Sequence, residues 1–235
     1  MKSSSSLWTP PFHSKRTYGT LLDTRNGKEY ATIVLKGYND TGTIQTINVM
    51  AENLNYAEVI TLGANEQDND SKIEKYCYND NADNCILYGG LYQWAEMMRL
   101  PYECNLGTCA DQIAPEQHQG ICPDGWHLLT MSEFWVVVNS SGEGVQGVKS
   151  DSRWIGGGGN NASGYTLLGG GYRKKDASGY ADLERTAYWY YASPEFESNK
   201  AKAAAAYVDA SVGIFGFDAY GTKTAGYSIR CVENY

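Results

Sequence analysis

Six cysteines are the residues whose spacing says most about chemistry in this sequence. They are Cys77, Cys85, Cys104, Cys109, Cys122 and Cys231. Structural zinc sites combine close cysteine or histidine pairs, whereas this sequence has neither a Cys-x-x-Cys nor a paired histidine. We therefore predict disulfides, for which six cysteines allow fifteen connectivities. Proximity favours the set Cys77–Cys85, Cys104–Cys109 and Cys122–Cys231, and disulfides imply an oxidising compartment.

An acidic stretch offers oxygen ligands of the kind that calcium binds. Asp68 and Asp70 flank an asparagine and precede a serine, with Glu66 and Glu74 nearby. The stretch lacks the glycine at the sixth position and the glutamate at the twelfth position of an EF-hand loop. A solvated acidic loop is therefore the better interpretation. We expect no cofactor, with calcium near Asp68 and Asp70 as the minor alternative.

A glycine motif, Gly142-Glu-Gly-Val-Gln-Gly147, has the spacing of a dinucleotide-binding loop. That function needs a helix that opens at the last glycine and an acidic residue about 20 positions further on. Residues 148–161 have instead the composition of a glycine-rich loop, so we predict a turn. The sequence also has no Gly-x-Ser-x-Gly, His-Glu-x-x-His or phosphate-binding motif. We therefore predict a protein that is not an enzyme, although a catalytic carboxylate pair is not recognisable from sequence.

Aromatic residues in the last third of the chain predict a binding surface. The sequence has 19 tyrosines against five phenylalanines, and tyrosine suits half-exposed recognition surfaces. If Val208, Val212 and Ile214 face the core, the two-residue period of a strand turns their neighbours outward. The predicted ligand-binding residues are Tyr190, Tyr191, Tyr207, Asp209, Phe215, Phe217, Asp218, Tyr220 and Lys223. The alternative is a sheet covered on both faces, which also has an aromatic and aliphatic sequence.

The composition limits the class of protein. The chain has 235 residues, of which 42% are hydrophobic and 20% charged. This is enough for a sizeable core, and no run approaches the ~18 apolar residues of a membrane helix. The net charge of −8 is unfavourable for binding a phosphate backbone, so we expect no nucleic-acid partner.

The apolar pattern predicts a single α+β domain in which antiparallel sheet predominates. Early strands are predicted at 19–23, 29–35 and 43–50. One helix is predicted on the stripe from Leu91 to Met98, and a second helix is opened by a capping box of Thr130 and Glu133. Later candidate strands are 165–168, 170–173, 187–192, 203–211, 212–217 and 227–232. We assign residues 1–17 to a linker remnant, disordered or extended, and residues 18–235 to the domain.

Several blocks of the sequence resemble the Fibrobacter succinogenes major paralogous domain of bacterial secreted and surface proteins. The blocks begin at Asp23, Met50, Tyr76, Tyr88, Gly120, Leu168 and Gly226, and the most specific is Cys122-Pro-Asp-Gly-Trp-His-Leu128. The resemblance implies a C-type-lectin-like fold, related to that of formylglycine-generating enzymes. It implies small twisted antiparallel sheets, two flanking helices, long loops and a pairing of the first and last strands. It also implies that Cys122 and Cys231 are joined.

The departures from the family pattern bear on function. The family's tryptophan-serine-serine-threonine block reads Trp189-Tyr-Tyr-Ala-Ser193 here. Similar lectin-like domains serve as variable proteins of diversity-generating retroelements. These elements rewrite surface codons into a small set of residues that includes tyrosine, alanine and serine, the types found here at positions 190–193. The sugar-site motifs of calcium-dependent lectins and the copper-site cysteine pair of formylglycine-generating enzymes have no match.

We therefore expect a non-catalytic, secreted or cell-surface module that presents residues 186–224 to a protein or carbohydrate ligand. The N-terminus lacks the apolar segment of a signal peptide. An export signal and a tether to a membrane or a larger protein are accordingly expected upstream. The alternatives are a secreted polysaccharide-active enzyme and a structural surface or assembly module.

Overall fold

The structure is a computed structural model. It describes residues 11–114, 116–196, 199–211 and 215–235, and of residues 193–196, 199 and 217–220 only the backbone. The strands are β1 (Gly19–Asp23), β2 (Lys28–Tyr38), β3 (Ile44–Met50), β4 (Val59–Ile60), β5 (Glu74–Lys75), β6 (Trp126–Leu128), β7 (Gly170–Arg173), β8 (Tyr180–Leu183), β9 (Thr186–Phe196), β10 (Asn199–Asp209), β11 (Phe215–Thr222) and β12 (Cys231–Glu233). The α-helices are α1 (Ala82–Tyr88), α2 (Trp94–Met98), α3 (Met131–Asn139) and α4 (Gly144–Val148). Short 3-10 helices span Tyr78–Asp80, Tyr102–Asn105 and Ala110–Gln112.

The first sheet brings the two ends of the domain together. Its strand order is β1-β2-β3-β12-β6, and all of its paired strands are antiparallel. The last strand pairs with β3, where Val232 faces Val49, rather than with β1. The resemblance thus places the two ends in one sheet correctly, but two strands separate β1 from β12. The Cys122–Cys231 disulfide fastens β12 to the segment that leads into β6.

The second sheet has the strand order β11-β10-β9-β7-β8. Strands β9, β10 and β11 form an antiparallel meander, and β9 continues into β7 by a parallel contact at Gly171 and Ala187. These three strands contain most of the predicted ligand-binding residues. The α+β class with mostly antiparallel strands is therefore confirmed.

Helix α3 packs between the sheets, and its start was predicted correctly. Thr130 accepts a hydrogen bond from the Glu133 amide, and the Glu133 side chain accepts one from the Thr130 amide. These two bonds satisfy amides that the first turn leaves without helical partners. The helix lies directly on β2 at Gly37, where a Cβ atom would stand 2.4 Å from the Val136 carbonyl oxygen. Glycine is required there because helix and strand approach so closely.

Several predicted boundaries are wrong. Helix α2 covers only Trp94–Met98, because Arg99 adopts a left-handed conformation with φ of 56°. The sequence analysis missed α1 and α4, which are both shorter than two full turns. Helix α4 occupies most of the glycine motif, so the predicted turn there is only partly correct. Residues 165–168 form no named strand, and the last predicted strand is reduced to Cys231–Glu233.

The core covers both faces of the second sheet. Tyr190, Ala203 and Ala205 belong to one buried cluster, which includes Trp94 and Met97 of α2. Their strand neighbours Trp189, Tyr191, Ala206 and Val208 belong to another, which includes Phe134 and Val137 of α3. Alternate side chains of β9 and β10 thus enter two different clusters. The prediction that one side of these strands is an aromatic row facing solvent is therefore wrong for this part of the sheet.

All three predicted disulfides are present: Cys77–Cys85, Cys104–Cys109 and Cys122–Cys231. Across the described ranges, no helix combines the length and the hydrophobicity that crossing a bilayer requires. Upstream of β1, the Phe12 ring packs against Tyr18 with 4.9 Å between centroids. Residues just before β1 thus contact the domain.

Candidate binding cleft

Two of the predicted ligand-binding tyrosines lie in the core. Tyr190 is 3% exposed, and its hydroxyl donates to the carbonyl oxygens of Thr222 and Ala225. Tyr191 is 1% exposed and contacts Phe134 and Trp189. The expectation that these rings face solvent is wrong because each side of β9 packs against its own buried cluster. Tyr190 packs one buried cluster against the sheet, and Tyr191 packs the other.

Lys223 was predicted to orient a ligand but is fully buried. Its Nζ donates to the carbonyl oxygens of Cys104, at 2.7 Å, and Gly107, at 3.1 Å. The same ammonium lies 3.9 Å from the centroid of the Trp94 ring, within cation–π distance. Lys223 therefore holds the loop that the Cys104–Cys109 disulfide closes, and its prediction as a ligand contact is wrong.

Two other predicted residues are half-buried at the far end of the second sheet. Asp209 accepts hydrogen bonds from the amide and hydroxyl of Ser211 and from the Thr186 hydroxyl, and the Ser211 bonds lower its pKa. The Phe215 ring packs edge-on against Phe134 and Trp135, with centroids 5.3 and 5.1 Å away. The side chains of Asp209 and Phe215 are thus held by other residues of the protein.

Some of the predicted surface lies outside the described part of the chain. The side chains of Phe217, Asp218 and Tyr220 are not described, nor are residues Val212 and Ile214. Their predicted orientation and ligand contacts stay predictions.

Tyr207, which is half-buried, joins an aromatic arrangement that also includes the predicted Tyr190. Its ring stacks on Tyr188 with 5.2 Å between centroids, and Tyr188 stacks in turn on Tyr227 at 4.9 Å. Tyr190 continues the series beneath Tyr227, at 4.5 Å. Tyr172 meets Tyr188 edge-on at 5.0 Å. We call these five rings the tyrosine ladder.

Backbone pairing explains why the ladder forms. Tyr207 and Tyr188 are directly opposite in the pairing of β10 with β9. The Ser228 amide donates to the Tyr188 carbonyl at 3.1 Å, which brings Tyr227 alongside. Arg173 and Gly226 exchange both backbone hydrogen bonds at 3.0 Å, which places Tyr172 at the same end. Cross-strand tyrosines at this spacing stabilise a sheet through ring contacts.

Three rings of the ladder, those of Tyr172, Tyr188 and Tyr227, line a cleft of about 350 Å³, which we call the tyrosine cleft. Its lining residues are Tyr172, Lys174, Lys175, Asp176, Tyr188, Lys202, Thr222, Ala225 and Tyr227. The strands β7, β9, β10 and β11 supply one residue each, the turn after β7 supplies two lysines and the aspartate, and the segment between β11 and β12 supplies Ala225 and Tyr227. A volume in this range is typical of small-ligand sites, which measure roughly 300–1,000 Å³.

The cleft is cationic although the protein is acidic. Three lysines and one carboxylate line it, whereas the whole chain carries a net charge of −8. Lys202 Nζ donates to the Thr222 hydroxyl at 2.7 Å. Hydrogen bonds from Ser178 lower the pKa of Asp176, which keeps this residue an anionic acceptor. Burial and the nearby Asp182 raise the pKa of Tyr172, which keeps its hydroxyl a donor.

A buried arginine holds the cleft to the acidic loop that precedes β5. Arg173 Nη2 lies 3.0 Å from Glu66 Oε1, and its guanidinium also donates to the carbonyl oxygens of Gly63, Asn65 and Thr224. Arg173 is itself fully buried. The bidentate contact fixes the end of β7, from which Tyr172 and Lys174 project.

The acidic stretch does not form a metal site in the part of the chain that the structure describes, where no three metal-ligating side chains converge. Glu66 is engaged by Arg173, Asp70 accepts from the Tyr102 amide at 2.7 Å, and Glu74 accepts from the Asn69 amide at 2.7 Å. Each of these three carboxylates thus accepts at least one hydrogen bond from the protein. Calcium at Asp68 and Asp70 stays the minor alternative of the sequence analysis.

Two buried glutamates lie close together near this loop but open to different clefts. The Glu74 amide donates to Glu96 Oε1 at 3.2 Å. Glu96 lines a cleft with Asp70 and Arg99, whereas Glu74 lines another beside β4. Burial raises the pKa of Glu96 to about 8. A glycosidase pair needs both carboxylates on one cleft, an arrangement that these two do not have.

None of the nine lining residues of the tyrosine cleft was among the predicted ligand-binding residues. Tyr172 and Tyr227 lie within blocks of the family resemblance. Tyr188 is two positions before Tyr190, so the two side chains are on the same side of the strand. The one available signal was the Lys174-Lys175-Asp176 sequence at a turn next to a tyrosine. Nothing local indicated that residues 172, 188, 202 and 227 meet.

The comparisons with known proteins identify a family and nothing more specific. The family model described as the Fibrobacter succinogenes major domain matches residues 48–233. Neither the curated proteins nor the solved structures gave a match to this chain. The matched range contains the tyrosine cleft and all three disulfides.

Proposed function

The chain belongs to the Fibrobacter succinogenes major domain family, and we propose that it is a non-catalytic module that binds a carbohydrate in the tyrosine cleft. The observation that carries this proposal is a cleft of about 350 Å³ in which stacked tyrosines stand beside three lysines. Ligand sites combine apolar rings with a few polar groups that fix orientation. The sequence left protein and carbohydrate ligands open. The small volume and the hydroxyl-rich lining favour the carbohydrate.

The nature of the lining supports binding rather than catalysis. Asp176 is the one carboxylate among the described lining residues, and it stands at an exposed turn. Glycoside hydrolysis uses two carboxylates about 5–9.5 Å apart across the substrate. The cleft therefore holds groups that orient a ligand, without the pair that hydrolysis requires.

We also propose that the protein acts outside the cytoplasm, as a secreted or surface domain tethered through an upstream segment. The three disulfides support this location because such bonds persist in oxidising compartments. The C-type-lectin-like fold that the family resemblance implies would agree with this assignment. The alternative of an assembly module predicted an aromatic row covered by a neighbour, but Tyr190 and Tyr191 are covered by the domain's own core.

Diversification by a retroelement is a narrower proposal that burial constrains. Tyr190, Tyr191, Ala203 and Ala205 are all buried, so they are poor positions for free variation. We propose that any varied positions lie instead around the tyrosine cleft and along β11. Sibling sequences from one genome test this, because changes scattered over the whole surface would contradict it.

Affinity electrophoresis tests the binding function. The intact domain is run through gels that contain xylan, glucomannan, polygalacturonate or alginate. We expect retardation by at least one polysaccharide, lost in Tyr188→Ala and retained in Tyr38→Ala. Tyr38 is the matched control because it is 54% exposed on β2, away from the cleft. Circular dichroism confirms that each variant is folded. Absence of retardation in all gels, or equal retardation of both variants, would overturn the proposal.

A further inference from the structure

We infer that the ligand of the tyrosine cleft is an acidic saccharide, whose carboxylate is held by Lys174 and Lys202. This inference rests on the proposed function and specifies the chemical class of its ligand. Lys174 and Lys202 are half-buried at the cleft, and Lys175 is exposed at its edge.

The lysines have hydrogen-bonding capacity beyond their contacts within the protein. An ammonium group carries three N–H donors, and the Thr222 hydroxyl accepts one from Lys202. Among the described side chains, no carboxylate forms an ion pair with Lys174, Lys175 or Lys202. Three lysines against one aspartate leave the lining of the cleft with an excess of positive charge. This excess favours an anionic ligand.

The remaining polar groups argue for a sugar rather than a simple anion. The Asp176 carboxylate would repel an inorganic anion, but it accepts hydrogen bonds from neutral hydroxyl groups. The Thr222 hydroxyl provides a further polar contact, and the side chains of Tyr172, Tyr188 and Tyr227 line the same cleft, where they combine phenol hydroxyls with carbon atoms. A ligand that suits all of them carries a carboxylate, several hydroxyls and a compact ring. A uronic acid residue has these properties.

The volume of the cleft argues against an extended peptide. About 350 Å³ lies at the small end of the range for ligand pockets. A peptide strand would require a longer groove or an open sheet edge with main-chain hydrogen bonds. An acidic peptide is therefore disfavoured, although it shares the carboxylate.

Isothermal titration calorimetry of the intact domain tests the inference. The probes are trisaccharides of galacturonate, glucuronate and mannuronate, the neutral trisaccharides of galactose, glucose and mannose, and sodium sulfate. We expect at least one uronide to bind about tenfold or more tightly than its neutral counterpart, because hydrogen bonds to charged groups are the stronger ones. Raising the salt from about 50 mM to about 500 mM should weaken that binding, since exposed charges are screened.

Variants then locate the binding site. Lys202→Met and Lys174→Met should each weaken uronide binding by about tenfold or more, and Lys202→Arg should retain most of it. Lys36→Met is the matched control, because Lys36 is an exposed lysine on β2, outside the cleft. Thermal unfolding checks that each variant is folded. Uronide binding that is unchanged in both methionine variants would overturn the assignment.

The outcomes separate this inference from the proposed function. Neutral trisaccharides bound as tightly as uronides, with binding lost in Tyr188→Ala, would overturn the acidic class and leave the carbohydrate module standing. Sulfate bound as tightly as the best uronide would overturn the saccharide. Failure of all six trisaccharides to bind would overturn the inference. If affinity electrophoresis also shows no retardation by any of the four polysaccharides, the proposed function is overturned as well.

Discussion

The Tyr207 ring lies against Gly216, the residue directly opposite it in the pairing of β10 with β11. A Cβ atom on Gly216 would stand 2.3 Å from Cζ of Tyr207, so the ring occupies the space that a side chain would need. On its other face Tyr207 stacks on Tyr188. The absence of a side chain at residue 216 thus sets the position of the outermost ring in the tyrosine ladder.

Gly216→Ala should displace the Tyr207 ring and destabilise the second sheet. We expect the free energy of unfolding to fall by about 1–3 kcal/mol, the usual cost of overpacking. Urea denaturation measures the change. Gly107→Ala is the control, because a Cβ there would lie 3.5 Å from the nearest atom, and its effect should stay within about 0.5 kcal/mol. Equal stability of wild type and Gly216→Ala would contradict the packing of Tyr207 on Gly216.

Glu96 should make the domain less stable at alkaline pH. Burial raises its pKa from 4.5 to about 8, so the folded state binds a proton that the unfolded state releases over this interval. The free energy of unfolding therefore falls as the pH rises from 4.5 through about 8. In Glu96→Gln this contribution should vanish, which makes the variant relatively more stable at pH above about 8. Urea denaturation across this pH range compares the variant with wild type.

The exposed Glu29→Gln serves as the control for that experiment. It should follow the wild-type pH dependence, because its side chain is solvated in the folded state. Identical pH profiles for Glu96→Gln and wild type would show that Glu96 is ionised in the folded protein.

His127 should stay protonated above its ordinary range. Burial lowers the pKa of this imidazole, but the hydrogen bond and the charge of Glu133, with the bond to Asn234, outweigh that effect and raise it. The distance from Nε2 to Glu133 Oε1 is 2.6 Å. The stabilisation is fully present below pH 6.5 and is lost as the pH rises through the raised pKa. NMR titration of the imidazole measures the value directly.

Glu133→Gln should lower the pKa of His127, because the anionic partner is removed. A glutamine at this position still completes the capping box with Thr130, so helix α3 should persist. The exposed Glu143→Gln provides a control on a nearby segment. A pKa for His127 that does not respond to Glu133→Gln would contradict the role of the ion pair.

Two of the disulfides close loops of very different length and should differ in their effect on stability. Cys122–Cys231 spans 109 positions, whereas Cys104–Cys109 spans five. Replacing both cysteines of the long loop by alanine should cost about 4–5 kcal/mol, and replacing those of the short loop about 2 kcal/mol, because longer loops restrict the unfolded chain more. Chemical denaturation of the two double variants measures the difference. A larger loss from the short loop would contradict the chain-entropy account.

The sequence by itself determined the local and covalent features of this protein. The α+β class, the capping box at Thr130 and the Cys77–Cys85 and Cys104–Cys109 disulfides follow from short-range signals: period, spacing and proximity. The Cys122–Cys231 disulfide is the pair that then remains, and the family resemblance also implies it. The family resemblance carried in the blocks from Met50 to Val232 agrees with the family model, which matches residues 48–233. Such features depend on residues that are close along the chain or on motifs that are read directly.

Tertiary structure alone decided which face of each late strand meets solvent. The two-residue period separates Tyr190 from Tyr191, but it does not state that both sides of β9 are covered by core. The burial of Lys223 could not be predicted from local sequence either, because its ammonium binds carbonyl oxygens more than a hundred positions away. The tyrosine cleft joins Tyr172, Tyr188 and Tyr227 through the pairing of distant segments. Side-chain alternation is local, whereas burial depends on what packs against each face.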